Sequence, residues 1–267
     1  MQQRIPTVCI THIQEILECS PGIILLKLEA PDIASRAQPG QFVMVKVPGG
    51  GMDPLLWRPF SICGVDEATI HVLIQIRGIG TARCAAARVG QTLELIGPLG
   101  KGFEVSAGLR AAFLVGGGIG IAPLLFLAQH LCEHHRKTSI QFFMGAASAS
   151  IIQIVDFFPL LHKRCAVATD DGSVGFKGFV TELLETYWKK NKTSQTEGTY
   201  CYGCGPKPFL AALAQKAKQY HVPCQVSLES WMACGVGACM GCVITDRQGM
   251  YQRVCSEGPV FLADTLW

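Results

Sequence analysis

The chain has 267 residues, of which 49% are hydrophobic and 16% are charged. This composition excludes a disordered, coiled-coil or low-complexity protein, and the length suits two ordinary domains plus a smaller module. Lys and Arg number 23 against 20 Asp and Glu, which leaves a net charge of +3. A charge this small and this evenly spread gives no indication that the partner is a nucleic acid.

The cysteine count points to metal or redox chemistry. Thirteen cysteines are many for such a chain, and an odd number cannot all pair as disulfides within one molecule. The N-terminal segment lacks the apolar region of an export signal, so we predict thiols of a cytoplasmic protein. The uncharged run 111–128 is long enough to span a membrane, but its glycine cluster and Pro123 predict a buried strand, a turn and a helix instead.

The first part of the chain is predicted to form an antiparallel barrel or sandwich. Apolar stretches alternate with Gly and Pro turns at the spacing typical of short strands. A helix at 81–89 interrupts them. The predicted strands are 8–17, 22–30, 40–48, 69–77 and 91–97.

From about residue 110 the pattern changes to strands that alternate with helices, which predicts a parallel α/β sheet. The last stretch is rich in Cys and Gly and ends with a predicted hairpin at 244–254. It is too short to hold a core without a metal or cross-link. We therefore divide the chain into a β-barrel domain (1–107), an α/β domain (108–228) and a small C-terminal module (229–267).

The strongest motif is a set of four cysteines in the C-terminal module. Three have the spacing C-x4-C-x2-C and a fourth follows later, the pattern typical of plant-type [2Fe-2S] proteins. The glycines among them allow a loop to turn its amides toward the sulfurs. Structural zinc is the alternative, although its sites usually have two C-x2-C pairs, and a chance set of buried thiols is another. The predicted metal ligands are Cys234, Cys239, Cys242 and Cys255.

A glycine-rich turn follows the first strand of the α/β domain and precedes a helix. From Gly118 it reads G-x-G-x-x-P, ending at Gly120 and Pro123. Glycines let a diphosphate approach the backbone, and the helix start supplies free amides, so this turn is a candidate dinucleotide site. Simple packing of the turn is the alternative.

A third motif lies in the barrel region, where Arg58 begins the run RPFSI and Thr81 stands in the predicted helix. An Arg fork with amides at a helix start can bind phosphate. The alternatives are a solvated edge residue and a simple helix cap. Cys201 and Cys204 form a C-x2-C pair, which we interpret as two thiols because the surroundings of a thioredoxin-like pair are missing.

These motifs together carry a family resemblance that covers essentially the whole chain. The sequence resembles the electron-transfer subunits of two-subunit, NAD-linked dihydroorotate dehydrogenases, in the ferredoxin reductase superfamily. The resemblance implies an FAD-binding barrel, an NAD-binding domain and a [2Fe-2S] module. The motifs that match are WRPFSI, GIGTARCA, IGPLGKGF, VGGGIGIAPLL, TDDGSVGFKGFV, YCYGCGPKPFL and SLESWMACGVGACMGCVI.

The resemblance also implies roles for particular residues. Ser61 would lie near flavin N5 and Cys204 near the nicotinamide, as the two candidate catalytic residues. FAD contacts would come from Arg58, Pro59, Phe60, Ser61, Leu73, Ile74, Gln75, Gly80 and Thr81. NAD contacts would come from Gly118, Gly120, Pro123, Asp170 and Asp171.

The implied function is electron transfer between NAD and an FMN-containing dihydroorotate dehydrogenase catalytic subunit in pyrimidine biosynthesis, in a heterotetramer with two copies of each chain. The surface near Cys239 and the apolar C-terminal tail 260–267 are the expected docking face. NAD is expected to be preferred over NADP, because no Lys or Arg follows the strand at 139–146. The alternatives are a ferredoxin/NAD(P)H reductase or hydrogenase-type subunit, and a non-enzymatic iron-sulfur carrier or redox sensor.

Overall fold

The structure, a computed structural model, describes residues 6–49, 53–162, 164–192 and 197–267. Its first part is a closed antiparallel barrel in the order β1-β2-β5-β4-β3-β6. The strands are β1 (Thr7–Ser20), β2 (Ile23–Glu29), β3 (Phe42–Val45), β4 (Arg58–Asp66), β5 (Thr69–Gln75) and β6 (Thr92–Leu99). Two short helices accompany them, α1 (Pro31–Ala34) and α2 (Ile79–Ala85).

The strand period of two divides the apolar side chains of the barrel between two cores. Along β2, Ile24, Leu26 and Leu28 belong to the core inside the barrel. The alternate residues Ile23 and Leu25 belong to a second core, which is shared with the α/β domain. Because successive side chains point to opposite faces of a strand, the apolar run that begins β2 lies between two cores.

The second part is an α/β domain whose central strands are parallel, as the alternating pattern predicted. The sheet order is β10-β9-β8-β7-β11-β12-β15. Its strands are β7 (Ala111–Gly117), β8 (Ser139–Ala146), β9 (Cys165–Thr169), β10 (Phe176–Lys177), β11 (Thr199–Cys204), β12 (Cys224–Ser227) and β15 (Val260–Leu262). Its helices are α3 (Ile121–His134), α4 (Ala149–Ile152), α5 (Ile154–Phe157), α6 (Pro159–His162), α7 (Val180–Asn191) and α8 (Lys207–Gln219).

The apolar run 111–128 forms β7, a single 3₁₀ turn (Gly118–Gly120) and the first half of α3, as predicted. Residues 121–128 are all buried within the protein. In the part of the chain that the structure describes, no helix combines the length and the apolar character that a membrane crossing requires.

The C-terminal segment contains a hairpin of β13 (Val243–Thr245) and β14 (Tyr251–Arg253), as expected, and ends with β15 and α9 (Ala263–Leu266). The tail differs from expectation. β15 pairs antiparallel with β12, and Val260 and Ala263 are buried, so much of the predicted docking tail packs on its own chain. A bridge between Lys101 and Pro259 also joins the segment to the end of the barrel.

The sequence pattern missed β4 as a strand, although it singled out the first residues of β4 as a motif. Pro59 and Gly64 interrupt the apolar alternation of this strand. The short helices α4 to α6 and the strands β10, β12 and β15 were also missed. These elements are two to four residues long, too short to show a period.

Candidate functional site

A gap opens in the barrel wall where β4 and β5 diverge. Their pairing ends at Ile62 and Val72, and the earlier residues of β4 pair with β3 on their other side. Leu73, Ile74 and Gln75 therefore lack ladder partners on the side that faces β4. Buried backbone N–H and C=O groups need hydrogen-bond partners, so this gap, called the barrel groove below, offers free backbone groups to a ligand.

The side chains around the gap differ in what they can offer a ligand. Leu73 and Ile74 are buried, so they can offer only backbone groups to a ligand. Phe60 is half-buried against the barrel core, and the half-buried Ser61 is next to it on β4, on the opposite face of the strand. Gln75 accepts a hydrogen bond from Arg77 Nε at 2.9 Å.

Arg58 lies against the start of α2. A Cβ on Gly80 would be 3.0 Å from Arg58 Nε, so the absence of a side chain at Gly80 lets the guanidinium lie on the first turn of the helix. Arg58 Nη1 donates to the Leu56 carbonyl at 2.7 Å. The structure thus brings together two predicted phosphate-binding elements that are 22 residues apart in the sequence.

Thr81 fixes the turn that leads into α2. Its Oγ1 accepts hydrogen bonds from the backbone N–H groups of Arg77 at 2.9 Å and Gly78 at 3.1 Å, and it donates to the Gly78 carbonyl. The capping role that we gave as the alternative is therefore present. The predicted contact between Thr81 and a phosphate remains a prediction.

The candidate dinucleotide site lies at the carboxyl edge of the parallel sheet. Gly117 and Gly120 make room for the loop that follows β11, because a Cβ on Gly120 would overlap the carbonyl of Cys204 and one on Gly117 would be 3.1 Å from Pro206. Gly118 is different. It has φ +57°, and a Cβ there would meet nothing within 4 Å.

This contrast tests the packing alternative for the glycine turn. Packing accounts for Gly117 and Gly120, but Gly118 faces open space beside the start of α3. Pro123 is buried in the first turn of that helix and shapes the turn from inside. The open position at Gly118 is what close approach of a diphosphate would require.

Asp170 and Asp171 lie at the same edge of the sheet. Their backbone N–H groups bond the carbonyls of Ala146 at 3.1 Å and Ala147 at 3.3 Å. Both carboxylates are exposed. Asp171 Oδ1 accepts two bonds from Ser173, from Oγ at 2.6 Å and from N at 2.9 Å, and these bonds lower the pKa of Asp171.

Cys204 is buried at the end of β11, in the same core as Leu73 of the barrel. Burial raises the pKa of Cys204, and the charge of Glu229 raises it further. Its sulfur is therefore a neutral thiol near pH 7 rather than a nucleophilic thiolate.

The four predicted cluster cysteines come together at the C-terminal segment, where backbone amides surround their sulfurs. Cys239 is exposed and Cys242 and Cys255 are buried. Five N–H groups donate to these sulfurs at 3.1–3.4 Å, a pattern that stabilises thiolates. The donors are the amides of Val236, Gly237, Cys239, Gly241 and Cys255.

Two pairs of cysteines are joined by hydrogen bonds, since the Cys239 N–H donates to Cys234 Sγ and the Cys255 N–H donates to Cys242 Sγ, both at 3.4 Å. Partial burial raises the pKa of Cys234, but hydrogen bonds from the amides of Val236 and Cys239 outweigh it and lower that pKa to about 7. Burial and the neighbouring Cys242 raise the pKa of Cys255 to about 12.

This arrangement of four cysteines can be compared with the donor set of the predicted group. Two thiols per metal atom, with bridging sulfides as the remaining ligands, is the donor set of a [2Fe-2S] group. The four cysteines present therefore fit the group that their spacing predicted.

The loop at 234–242, called the cluster loop below, rests on the barrel beside the start of β4. A Cβ on Gly235 would overlap Met44 of β3, and Met44 pairs with Pro59. Trp57, which precedes Arg58, packs against the same core as Cys242 and Cys255. We did not predict the role of Met44, because no local signal marks which face of a barrel strand another segment will cover.

All thirteen cysteines are free thiols. The pair Cys201 and Cys224 faces across two adjacent parallel strands, and burial raises the pKa of Cys201. Cys201 and Cys204 are both buried in the sheet. This placement agrees with the interpretation of two separate thiols.

Comparison with known proteins gives consistent results. Residues 229–267 match the iron-sulfur cluster binding domain of dihydroorotate dehydrogenase B. The dihydroorotate dehydrogenase B (NAD(+)) electron transfer subunit of Caldanaerobacter subterraneus subsp. tengcongensis is 40% identical over 232 residues, covering 86% of this chain and 87% of the relative. The corresponding subunit of Bacillus caldolyticus is 41% identical over 246 residues, covering 89% and 90%.

Solved structures show the same architecture. An NADH-dependent reduced ferredoxin-NADP oxidoreductase of flavin-based electron bifurcation matches with a TM-score of 0.83 and 26% identity, covering all of this chain and 91% of that one. A ferredoxin NADP+ reductase from Neisseria gonorrhoeae, solved with FAD and NADP, shares the fold with a TM-score of 0.65 and 19% identity, covering 80% of this chain and 91% of that one. The chain belongs to the family of electron transfer subunits of dihydroorotate dehydrogenase B.

Proposed function

We propose that this chain passes electrons between NAD and an FMN-containing dihydroorotate dehydrogenase catalytic subunit, with FAD on the barrel and a [2Fe-2S] group in the C-terminal segment. The names of the relatives support this assignment. The observation that carries it is the contact of the cluster loop with Met44, because Met44 pairs with the strand that borders the barrel groove. Two redox groups held there would be neighbours.

The barrel supplies the FAD site. Arg58 and the first turn of α2 at Gly80 and Thr81 bind the diphosphate, and the free backbone groups of β5 hold the ring system. Pro59 and Phe60 line the barrel groove. Ser61 would hold a hydrogen bond at flavin N5. When bound, FAD would supply hydride exchange with nicotinamide and single-electron exchange with iron-sulfur groups.

The sheet edge supplies the NAD site. Gly118 leaves the backbone open to a diphosphate at the start of α3, and Gly120 and Pro123 shape that turn. Asp170 and Asp171 face the ribose. Cys204 lies beside the nicotinamide as a neutral thiol and excludes water there.

The C-terminal segment supplies the metal site, in which each cysteine pair holds one iron atom. Amides directed at the sulfurs stabilise their negative charge. The exposed Cys239 faces outward, which gives electrons an exit at the surface.

The C-terminal segment that carries this exit exposes several large apolar side chains, which suits a protein partner. Trp231 is 93% exposed, and exposed apolar residues of this size mark docking sites when they are clustered. The partner is the catalytic subunit, in a heterotetramer of two copies of each chain, in the cytoplasm, where thiols stay reduced. The other exposed apolar residues of the segment are Val236, Met240, Met250, Tyr251 and Leu262.

An anaerobic titration of the purified chain with NADH tests the proposal. We expect bound flavin to bleach first and the iron-sulfur absorbance to follow, with dyes reduced but no orotate formed from dihydroorotate. Adding the catalytic subunit should restore NAD-linked orotate formation. Orotate formation by this chain alone would overturn the proposal, and absence of bound flavin would favour the carrier or sensor alternative.

The oxidoreductase of electron bifurcation that matches over the whole chain supports a second candidate, a subunit that joins NAD(P)H to ferredoxin. The same titration separates the two. If the second candidate is correct, reduced ferredoxin should reduce the flavin rapidly. Adding the dihydroorotate dehydrogenase catalytic subunit should then produce no NAD-linked orotate formation.

A further inference from the structure

A charged pair beside the cluster cysteines has no role in the function proposed so far. Arg253 precedes Cys255 by two residues and Glu257 follows it by two. Arg253 Nε donates to Glu257 Oε2 at 3.0 Å and Nη2 donates to Oε1 at 2.6 Å. The same carboxylate accepts the backbone N–H of Arg253 at 2.6 Å, so the pair closes the turn that carries Cys255.

Arg253 also reaches the loop that carries the other three cysteines. Its Nη1 donates to the Gly237 carbonyl at 2.9 Å. Gly237 has φ +81°, and its own N–H donates to Cys255 Sγ at 3.1 Å. One guanidinium therefore holds the residue whose amide is directed at a cluster sulfur, and it joins the two segments that supply the ligands.

The guanidinium also lies directly against the loop at Gly237. A Cβ on Gly237 would be 3.5 Å from Arg253 Nη1, so there is little space between them.

We propose that Arg253 is a positioning residue for the cluster loop, and that the Arg253–Glu257 pair sets how readily the bound [2Fe-2S] group accepts an electron. This proposal rests on the proposed function. Reduction adds one electron, and so one negative charge, beside the sulfurs. The cation of Arg253 favours that charge and the carboxylate of Glu257 opposes it.

The proposal predicts opposite effects for two substitutions that each remove one charge of the pair. Arg253→Gln removes the cation and Glu257→Gln removes the anion. Arg253→Lys keeps the charge but loses the guanidinium group, which donates hydrogen bonds to both Gly237 and Glu257. Arg247→Gln is the matched control, because Arg247 is an exposed arginine of the same segment, in the hairpin turn.

The measurements use the full chain, purified anaerobically with its groups bound. The midpoint potential of the cluster is read from equilibrium with a one-electron dye, and cluster retention is read from the iron that a chelator removes with time. We expect Arg253→Gln to shift the dye equilibrium about threefold toward oxidised cluster, which is about 28 mV lower for a one-electron couple. We expect Glu257→Gln to shift it in the opposite direction.

The rate of iron loss distinguishes the positioning role of Arg253 from the effect of its charge. Both Arg253→Gln and Arg253→Lys should lose iron roughly tenfold faster than the unmodified chain, while only Arg253→Gln lowers the potential. If Arg253→Gln retains no cluster at all, Arg253→Lys and Glu257→Gln decide the electrostatic part. Arg247→Gln should change neither quantity.

Shifts of both Gln variants in the same direction, or an equal shift in Arg247→Gln, would overturn the proposal. So would unchanged potential and retention in Arg253→Gln. These results would leave the proposed function intact, because the unmodified chain would still show flavin and cluster. An unmodified chain that binds no iron and sulfide would instead contradict the proposed function.

Discussion

Two glycine-rich loops of this molecule use the same residue type for different purposes. In the turn between β7 and α3, Gly117 and Gly120 are small so that the loop after β11 can approach. In the cluster loop, Gly235 and Gly237 have φ +70° and +81°, which turns the backbone around the cysteines and directs amides at their sulfurs. Glycine pattern alone therefore does not identify a ligand site, whereas the direction of the free amides does.

The largest expected effect comes from the cluster loop. We expect Cys239→Ser to remove or destabilise the iron-sulfur group and to lower partner-linked turnover by about 100-fold, because a ligand on the electron exit is lost. FAD should stay bound and NADH should still reduce a two-electron dye, since Cys239 is exposed and packs little. Iron analysis and the flavin spectrum check this.

Loss of flavin together with iron in Cys239→Ser would show that the loop and the barrel fold as one unit. Such coupling is physically possible because the cluster loop and the barrel are in contact at Gly235 and Met44. Cys132→Ser, at a half-buried thiol on α3, is the matched control.

The next largest effect concerns docking at the cluster loop. Trp231 is almost fully exposed, so Trp231→Ala should change the free energy of unfolding by less than about 0.5 kcal/mol. An exposed Trp at the centre of an interface is typically worth about 2 kcal/mol, so affinity for the catalytic subunit should fall roughly 30-fold. Calorimetric titration measures this affinity. Unchanged affinity in Trp231→Ala would show that the docking face lies elsewhere.

The nucleotide turn yields a smaller, paired prediction. Gly120→Ala should destabilise the chain by about 1–3 kcal/mol, because its methyl group overlaps the Cys204 carbonyl. Gly118→Ala should cost about 1 kcal/mol from its left-handed backbone, yet raise KM for NADH by intruding on the open side of the turn. Thermal unfolding and steady-state kinetics separate the two. A normal KM in Gly118→Ala would support the packing interpretation.

The smallest expected effect is on nucleotide preference. NADH should exceed NADPH in kcat/KM by about tenfold or more, since no cation follows β8 and two carboxylates lie at that edge. Asp170→Asn should lower the ratio of kcat/KM for NADH to that for NADPH more than Asp171→Asn does. The reason is that the Asp171 carboxylate already accepts hydrogen bonds from Ser173. Equal kcat/KM values for the two nucleotides in the unmodified chain would contradict this expectation.

The parts of the site that sequence predicted are those whose geometry is local. The four cysteines are specified by spacing within one short segment, and the turn at Gly118 lies between its own strand and helix. The barrel groove beside Leu73 was identified only through resemblance, since it depends on where β4 stops pairing with β5. The contact between Gly235 and Met44 depends on how distant segments pack, which no period or motif encodes.

The antiparallel pairing of β15 with β12 affects how prone the chain is to aggregate while it is being synthesised. An open sheet edge is a template for another chain, and β15, only three residues long, closes that edge with a strand too short to recruit a neighbour. Along the chain, β15 comes after every other strand of its sheet. Until β15 is synthesised, β12 remains open to pairing with another molecule, so chains that are cut before Val260 should aggregate.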